Sequence, residues 1–442
     1  MKKNAITLYE FDVVLSEGAG LGHTEVPATV FAWLEAQCLR MDARAWLKFT
    51  RRNGHKAIQV TSFVGVIRTP QGFHIEVLPK VGKVIDDGAK EARQLLLEML
   101  RCLNGFRHIR IESALLAAAK MPLMEVFIGE FLQSVEQVVK RGLRSDYVSR
   151  QDNLFVLRGK LLVTQQIRQN VCRADKFYTE HDEFTPNRPE NRLLHAALRR
   201  VLSESTTPTN QRLARELCFV FAEIPASTQA AQDFQQIRMD RGLAYYADAL
   251  AWARLILENE SPLTGIGHHH APSLLFPMEM VFEAFVANCL SQQISRSYRL
   301  KNTEDYSHYL VGHRDQKWFF LKPDMLITKA NNNLFVLDTK WKLLNERLSN
   351  SNDKYRLEQN DFYQLFTYGQ HHLNGKGDLI LIYPKTNHFH ESLPVFNFPK
   401  AADLRLWVMP FCLQSRRLLV PINAPINECF KTADALCLSA VA

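Results

Sequence analysis

Three residues have the types and spacing for metal-assisted chemistry: Asp324, Asp338 and Lys340. Asp338 and Lys340 stand two apart in the apolar run NLFVLDTKWK, and a strand puts residues two apart on one face. Asp324 lies in an earlier run, KWFFLKPDMLIT, across a turn at Asn331, Asn332 and Asn333. If the two runs pair, Asp324 approaches the face that carries Asp338 and Lys340. Three charges beside apolar strands are costly to bury without a partner or a task. Phosphodiester hydrolysis is such a task. Two carboxylates can hold Mg2+, a hard cation that takes oxygen ligands and keeps several waters, and the carbonyl of Thr339 is a further candidate ligand. The ion lowers the pKa of a bound water and offsets charge developing on the phosphate. Lys340 then orients or deprotonates the attacking water and stabilises the transition state by its charge. A true base role would need a depressed lysine pKa. The bland alternative is an exposed D-x-K ion pair of little energetic weight.

The neighbouring segments can frame these residues. The helix expected over MEMVFEAFVANCLSQQI carries Glu279 and Glu283 at i,i+4 on one face, and Glu283 is the choice for an added metal ligand. A second helix, EQNDFYQLFTYGQHHL at about 358–373, carries Gln364 and Tyr368 at the same spacing, placed to hold the lysine or a DNA backbone. Lys342 reads as a solvated neighbour or a DNA contact. With GDLILIYPK and LRLWVMPFCL as further strands, the order α, β, β, α, β suits a compact α/β domain.

The rest of the chain reads as mixed α/β. ITLYEFDVVL is strand-like, PATVFAWLEAQCL helical, and AIQVTSFVGVIRT with GFHIEVLPKV suggests a hairpin about the turn at 69–72. Helical patterns run from about 89 to 141, extended or mixed ones over 147–168, and helices again to about 258. The Pro-, Gly- and His-rich stretch 260–274 is the best linker candidate. Three blocks follow: an α+β region over 1–146, a mixed then helical middle over 147–260, and the domain bearing the three residues over 261–442.

Composition narrows the partners. Of the 442 residues 46% are apolar and 23% charged, an ordinary folded chain. The net charge of +8 favours an anionic partner weakly. Eight cysteines without a CxxC pair read as reduced core residues of a cytoplasmic protein. The start MKKNAITLYEFDVV has no signal-peptide core, and no apolar run is long enough to span a membrane. GAGLGHT fails the phosphate-loop pattern, because His23 stands where Lys is needed, and reads as a turn. His268, His269 and His270 read as a solvated linker rather than a metal site.

The constellation resembles the PD-(D/E)xK nuclease superfamily, including the Q-x-x-x-Y helix of its RecB-like branch. More specifically the chain is similar to the McrC family, nuclease subunits of methylcytosine-dependent restriction systems. VGVIRTPQGFHIEVLPKVG, LRGKLLVTQQIRQN, EFTPNRPENRLLHAAL, FPMEMVFEAFV, KPDMLI, VLDTKWK and DFYQLFTYG carry that resemblance, in that order. It implies a restriction-endonuclease-like C-terminal domain, Mg2+-dependent cleavage of methylated DNA, and a separate McrB-like AAA+ GTPase. The N-terminal part would dock on that motor and stimulate it. A PD-(D/E)xK nuclease of repair or recombination without methylation specificity is the alternative. A non-catalytic GTPase activator that has kept the nuclease fold is the third reading.

Overall fold

The computed structural model describes residues 5–17, 24–39, 46–81, 88–103, 121–258, 273–302, 308–330 and 332–430. The glycines of the glycine stretch and the triple histidine lie outside them, as does the linker candidate 260–274 except Ser273 and Leu274, which begin the strand Ser273–Pro277. By contact the chain forms two units of interleaved segments, whereas the three blocks above divide it in sequence order. One unit comprises Met1–Ile6, Gly65–Glu76 and Glu112–Leu274; the other Thr7–Val64, Val77–Ile111 and Leu275–Ala442. The overall class is mixed α/β, as expected.

The first unit is mainly helical. Helices Pro189–Glu204 and Pro208–Val220 each start on a proline, whose missing N–H costs nothing in the first turn. Leu193, Leu194, Ala197, Leu198 and Val201 form the buried stripe of the former. Asp146–Leu154 and Phe177–Thr185 pair antiparallel along nine residues each and make a small sheet with Lys160–Leu161.

The second unit holds the residues singled out above. Its Leu275–Ala442 segment contains α1 (Met278–Gln293), β1 (Arg299–Asn302), β2 (Tyr309–His313), β3 (Gln316–Phe320), β4 (Met325–Lys329) and β5 (Asn332–Thr339). Then come α2 (Gln359–His372), β6 (Gly377–Pro384), β7 (Phe396–Phe398), β8 (Ala401–Cys412) and β9 (Arg417–Leu418). The sheet order is β1-β4-β5-β6-β8-β7, with β9 paired to β8. β4 and β5 are antiparallel; β5, β6 and β8 run parallel, with α2 as the crossover from β5 to β6. Parallel strands covered on both faces must be apolar throughout, and seven of the eight residues of β6 are buried. A Cβ at Gly369 would lie 2.7 Å from Leu404 Cδ2, so α2 sits close enough to the sheet that a larger residue there would have to displace this buried leucine.

One expected strand is two. KWFFLKPDMLIT breaks at Leu321–Asp324: Phe319 has φ of 60°, and Pro323 lacks a ladder donor. Lys322, Pro323 and Asp324 therefore form a loop at the head of β4. Among the described residues β2 and β3 pair only with each other, as a two-stranded ribbon.

Candidate active site

Met325 pairs with Leu337, so Asp324, one step before it, faces Asp338, one step beyond Leu337. Asp324 Oδ2 accepts hydrogen bonds from both the backbone N–H and the hydroxyl of Thr339, each at 2.7 Å. Thr339 thus anchors Asp324 through its donors. Lys340 lies one residue past β5, and its N–H still continues the ladder by bonding Ile382 O at 2.9 Å.

Asp338 is 1% exposed, and its Oδ1 has no hydrogen-bond donor among the described residues. Lys340 Nζ stands 2.7 Å from its Oδ2, a charge-assisted pair that lowers the Asp338 pKa against the effect of burial. Burial, then the charge of Asp324, push the Asp338 carboxyl up to about 7. Burial also raises Asp324, against the pull of the Thr339 donors. Glu283, half-buried on α1, is pushed up to about 7 by burial and by the charges of Asp324 and Asp338. It therefore lies within electrostatic reach of the two aspartates. Glu279 is exposed and exerts its charge on Glu10 and Lys80 instead.

Burial alone would lower the Lys340 pKa, but Asp338, then Asp324 and Asp361, hold it above the ordinary lysine value. The ammonium is therefore held in its protonated form beside the carboxylates. Lys340 Nζ donates to Gln364 Oε1 at 3.2 Å; Gln364 Nε2 donates to Tyr368 Oη at 2.8 Å; Tyr368 Oη donates to Lys322 O at 2.9 Å. This chain ties the end of β5, the face of α2 and the loop before Asp324 into one assembly.

Several contributors escape a reading of the sequence alone. Asp361 is buried in the first turn of α2, three residues before Gln364 and hence on the same face. It accepts from Tyr383 Oη and from Lys342 Nζ, each at 3.2 Å. Lys342, which also pairs with Glu358 at 2.9 Å, is held in an ion pair rather than free in solvent. Trp341, next to Lys340, donates its indole N–H to the fully buried Glu10 carboxylate at 3.0 and 2.9 Å. Lys80 N donates to Glu10 Oε2 at 2.9 Å, and Lys80 Nζ to Trp341 O at 2.9 Å. The only advance signal was Lys80 itself, within the Leu-Pro-Lys run.

The donor set suits a hard divalent cation. Asp338 presents a buried Oδ1 without a donor among the described residues, Asp324 raises the pKa of both Asp338 and Glu283, and Asp338 raises that of Glu283. Among the described residues no group of three or more His, Cys, Asp or Glu forms a ready-made cage. Mg2+ does not need one, because it is commonly held by one or two carboxylates with waters completing the octahedron.

Comparison with known proteins decides the family. The model of the McrBC 5-methylcytosine restriction system component matches residues 58–384. The chain belongs to this family. A search of curated proteins gave no match. Among solved structures the chain is similar to one in a half-complex from the tetradecameric assembly of Thermococcus gammatolerans McrB AAA+ hexamers with bound McrC. The TM-score is 0.69 at 20% identity, covering 92% of this chain and 94% of that one. A chain of the Thermococcus gammatolerans McrBC complex matches with a TM-score of 0.50 at 22% identity, covering 65% and 87%. At these identities the likeness is one of fold. No helix among the described residues is long and apolar enough to cross a membrane.

Proposed function

We propose that this chain is the DNA-cleaving subunit of a McrBC-type restriction system, with Asp324, Asp338 and Lys340 as a Mg2+-dependent phosphodiesterase centre of PD-(D/E)xK type. The observation that carries the reading is Asp338: a buried carboxylate set opposite Asp324, paired with Lys340 through Oδ2 and left with an unpartnered Oδ1. Family membership supplies the restriction context. When bound, Mg2+ would supply an activated water and offset charge on the phosphate. Asp324 and Asp338 would hold it, with Glu283 and the Thr339 carbonyl as further oxygens. Thr339 keeps Asp324 in place. Lys340, protonated and steered by Gln364, would stabilise the pentacovalent phosphate by its charge. Asp361, Tyr383 and Lys342 fix the base of α2, so Gln364 reaches the lysine in one geometry.

The substrate proposed is methylated DNA, and the partner a separate McrB-like AAA+ GTPase; the likeness to a chain solved with McrB hexamers supports that pairing. The test is cleavage of methylated and unmethylated plasmid, with and without the family's GTPase partner, GTP and Mg2+. The expected result is cutting that needs all of them. Cutting indifferent to partner, GTP and methylation would instead favour a stand-alone nuclease of repair or recombination.

A further inference from the structure

We infer that the β2–β3 ribbon is a DNA-contacting element that enters a groove of the substrate duplex beside the scissile phosphate; the inference rests on the nuclease reading above. All residues of both strands are exposed, although they are largely aromatic and aliphatic. Tyr309 is 37%, Trp318 42% and Phe319 66% exposed. Tyr309 pairs with Phe320 and Val311 with Trp318 across the ladder, so these four share a face. Exposed aromatics on a two-stranded ribbon need a reason.

The charges identify the occupant. His313, Arg314 and Lys317 lie on the ribbon and exposed Lys322 at its base, against the single acid Asp315. Lys317 Nζ sits 5.2 Å from the Tyr309 ring centroid, and His313 stacks 4.8 Å from Trp318. Cations interleaved with stacking rings suit a polyanion that carries flat bases. A second copy of the ribbon would set like charges against each other. The tip adds an independent observation. Arg314 and Asp315 both have positive φ, at 47° and 58°, as a tight hairpin turn of primed type requires. Asn-Gly would fit there with least strain; the chain instead carries an arginine at the most protruding point, in a conformation that costs a non-glycine residue energy.

The base of the ribbon is fixed to the candidate centre. Leu321 N donates to His308 O at 2.9 Å, and Leu321 packs in the same core cluster as Tyr368 and Leu373. The His308 ring stacks 4.4 Å from His372. Tyr368, the end of the lysine relay, holds Lys322 O. Phe320 is four residues before Asp324, at most about 14 Å of extended chain, or roughly four base pairs of duplex. A two-stranded ribbon is of the size that a DNA groove admits, and apolar side chains at a groove floor can wedge between base steps.

The test is binding of a fluorescein-labelled duplex by the full chain carrying Asp338→Ala, so that no cutting intervenes, followed by anisotropy over a range of salt. Arg314→Glu with Lys317→Glu should weaken binding about tenfold or more and lower the salt slope by about two. Trp318→Ala with Phe319→Ala should weaken it about tenfold with the salt slope kept. Unchanged thermal melting would confirm that these exposed positions leave the fold intact. Unaltered DNA binding in both doubles would overturn the inference, as would no DNA binding by the parent chain. So would a change in sedimentation with DNA binding intact, since it would make the ribbon a contact between copies. If the ribbon governs binding but the wild-type chain never cuts, the nuclease reading fails and the ribbon stands. If the wild type cuts and the ribbon variants bind normally, the reverse holds.

Discussion

Glu125 and Asp338 are both buried carboxylates, one in each unit, and their surroundings treat them in opposite ways. Glu125 is 2% exposed in the first turn of the helix Leu123–Arg141. Its oxygens accept from Ser205 Oγ at 2.9 Å, Thr206 N at 2.5 Å, Thr206 Oγ1 at 2.9 Å, Thr207 Oγ1 at 2.9 Å and Asn210 Nδ2 at 2.7 Å. Burial alone would raise its pKa, but the donors of Thr206, Asn210 and Thr207 bring it below the ordinary carboxylate value. Asp338 is as deeply buried, has Lys340 Nζ against Oδ2 but no donor to Oδ1 among the described residues, and is pushed up to about 7. A carboxylate satisfied by five donors joins elements; one with an oxygen left unpartnered is ready for a ligand that is not part of the chain.

The contrast can be broken most sharply at Asp338. Asp338→Ala should reduce cleavage about 10³-fold or more, with the melting temperature held or raised and any stimulation of the partner GTPase retained. Cleavage at the wild-type rate would remove Asp338 from the site. Glu125→Ala should do the reverse. It strands at least five donors and should cost about 3 kcal/mol of stability in urea melts, with the surviving folded enzyme cutting normally. A fully stable Glu125→Ala would show that the network is not structural.

Glu10 sharpens the comparison, since it has donors yet burial pushes it up to about 7 from 4.5. A raised carboxyl contributes stability below its unfolded pKa and loses it as pH rises through the folded value. Wild type should therefore lose about 2 kcal/mol relative to Glu10→Gln between roughly pH 5 and 8. Glu125, being lowered, should show the opposite sign: its contribution disappears on acidification below the ordinary carboxylate range. Matching pH profiles for the two variants would mean that burial, not donors, sets both groups. The smallest effect is expected at the relay. Gln364→Ala or Tyr368→Phe should slow cleavage about tenfold by loosening Lys340, and a rate within twofold of wild type would remove the relay from the account.

The sequence carried the local part of this site well. Asp338, Lys340, Glu283, Gln364 and Tyr368 sit on elements whose periodicity is plain, so their faces could be read from spacing. Asp324 was misplaced into a strand, because Trp318, Phe319 and Phe320 look like core residues and in fact form an exposed ribbon. Asp361 was passed over because an acid in a first turn has an ordinary role beside the helix dipole. Glu10 and Lys80 could not be found from spacing at all: Glu10 bonds Trp341 across 331 positions, and only the fold brings them together. Glu125 was equally silent, since its partners come from a segment 80 or more residues away.

The most direct measurement is divalent-ion binding to the full chain by isothermal titration with Mg2+ or Mn2+, for wild type, Asp338→Asn and Glu125→Gln. The account predicts saturable binding in wild type and Glu125→Gln, weakened at least about tenfold in Asp338→Asn. Equal affinity in wild type and Asp338→Asn would contradict it.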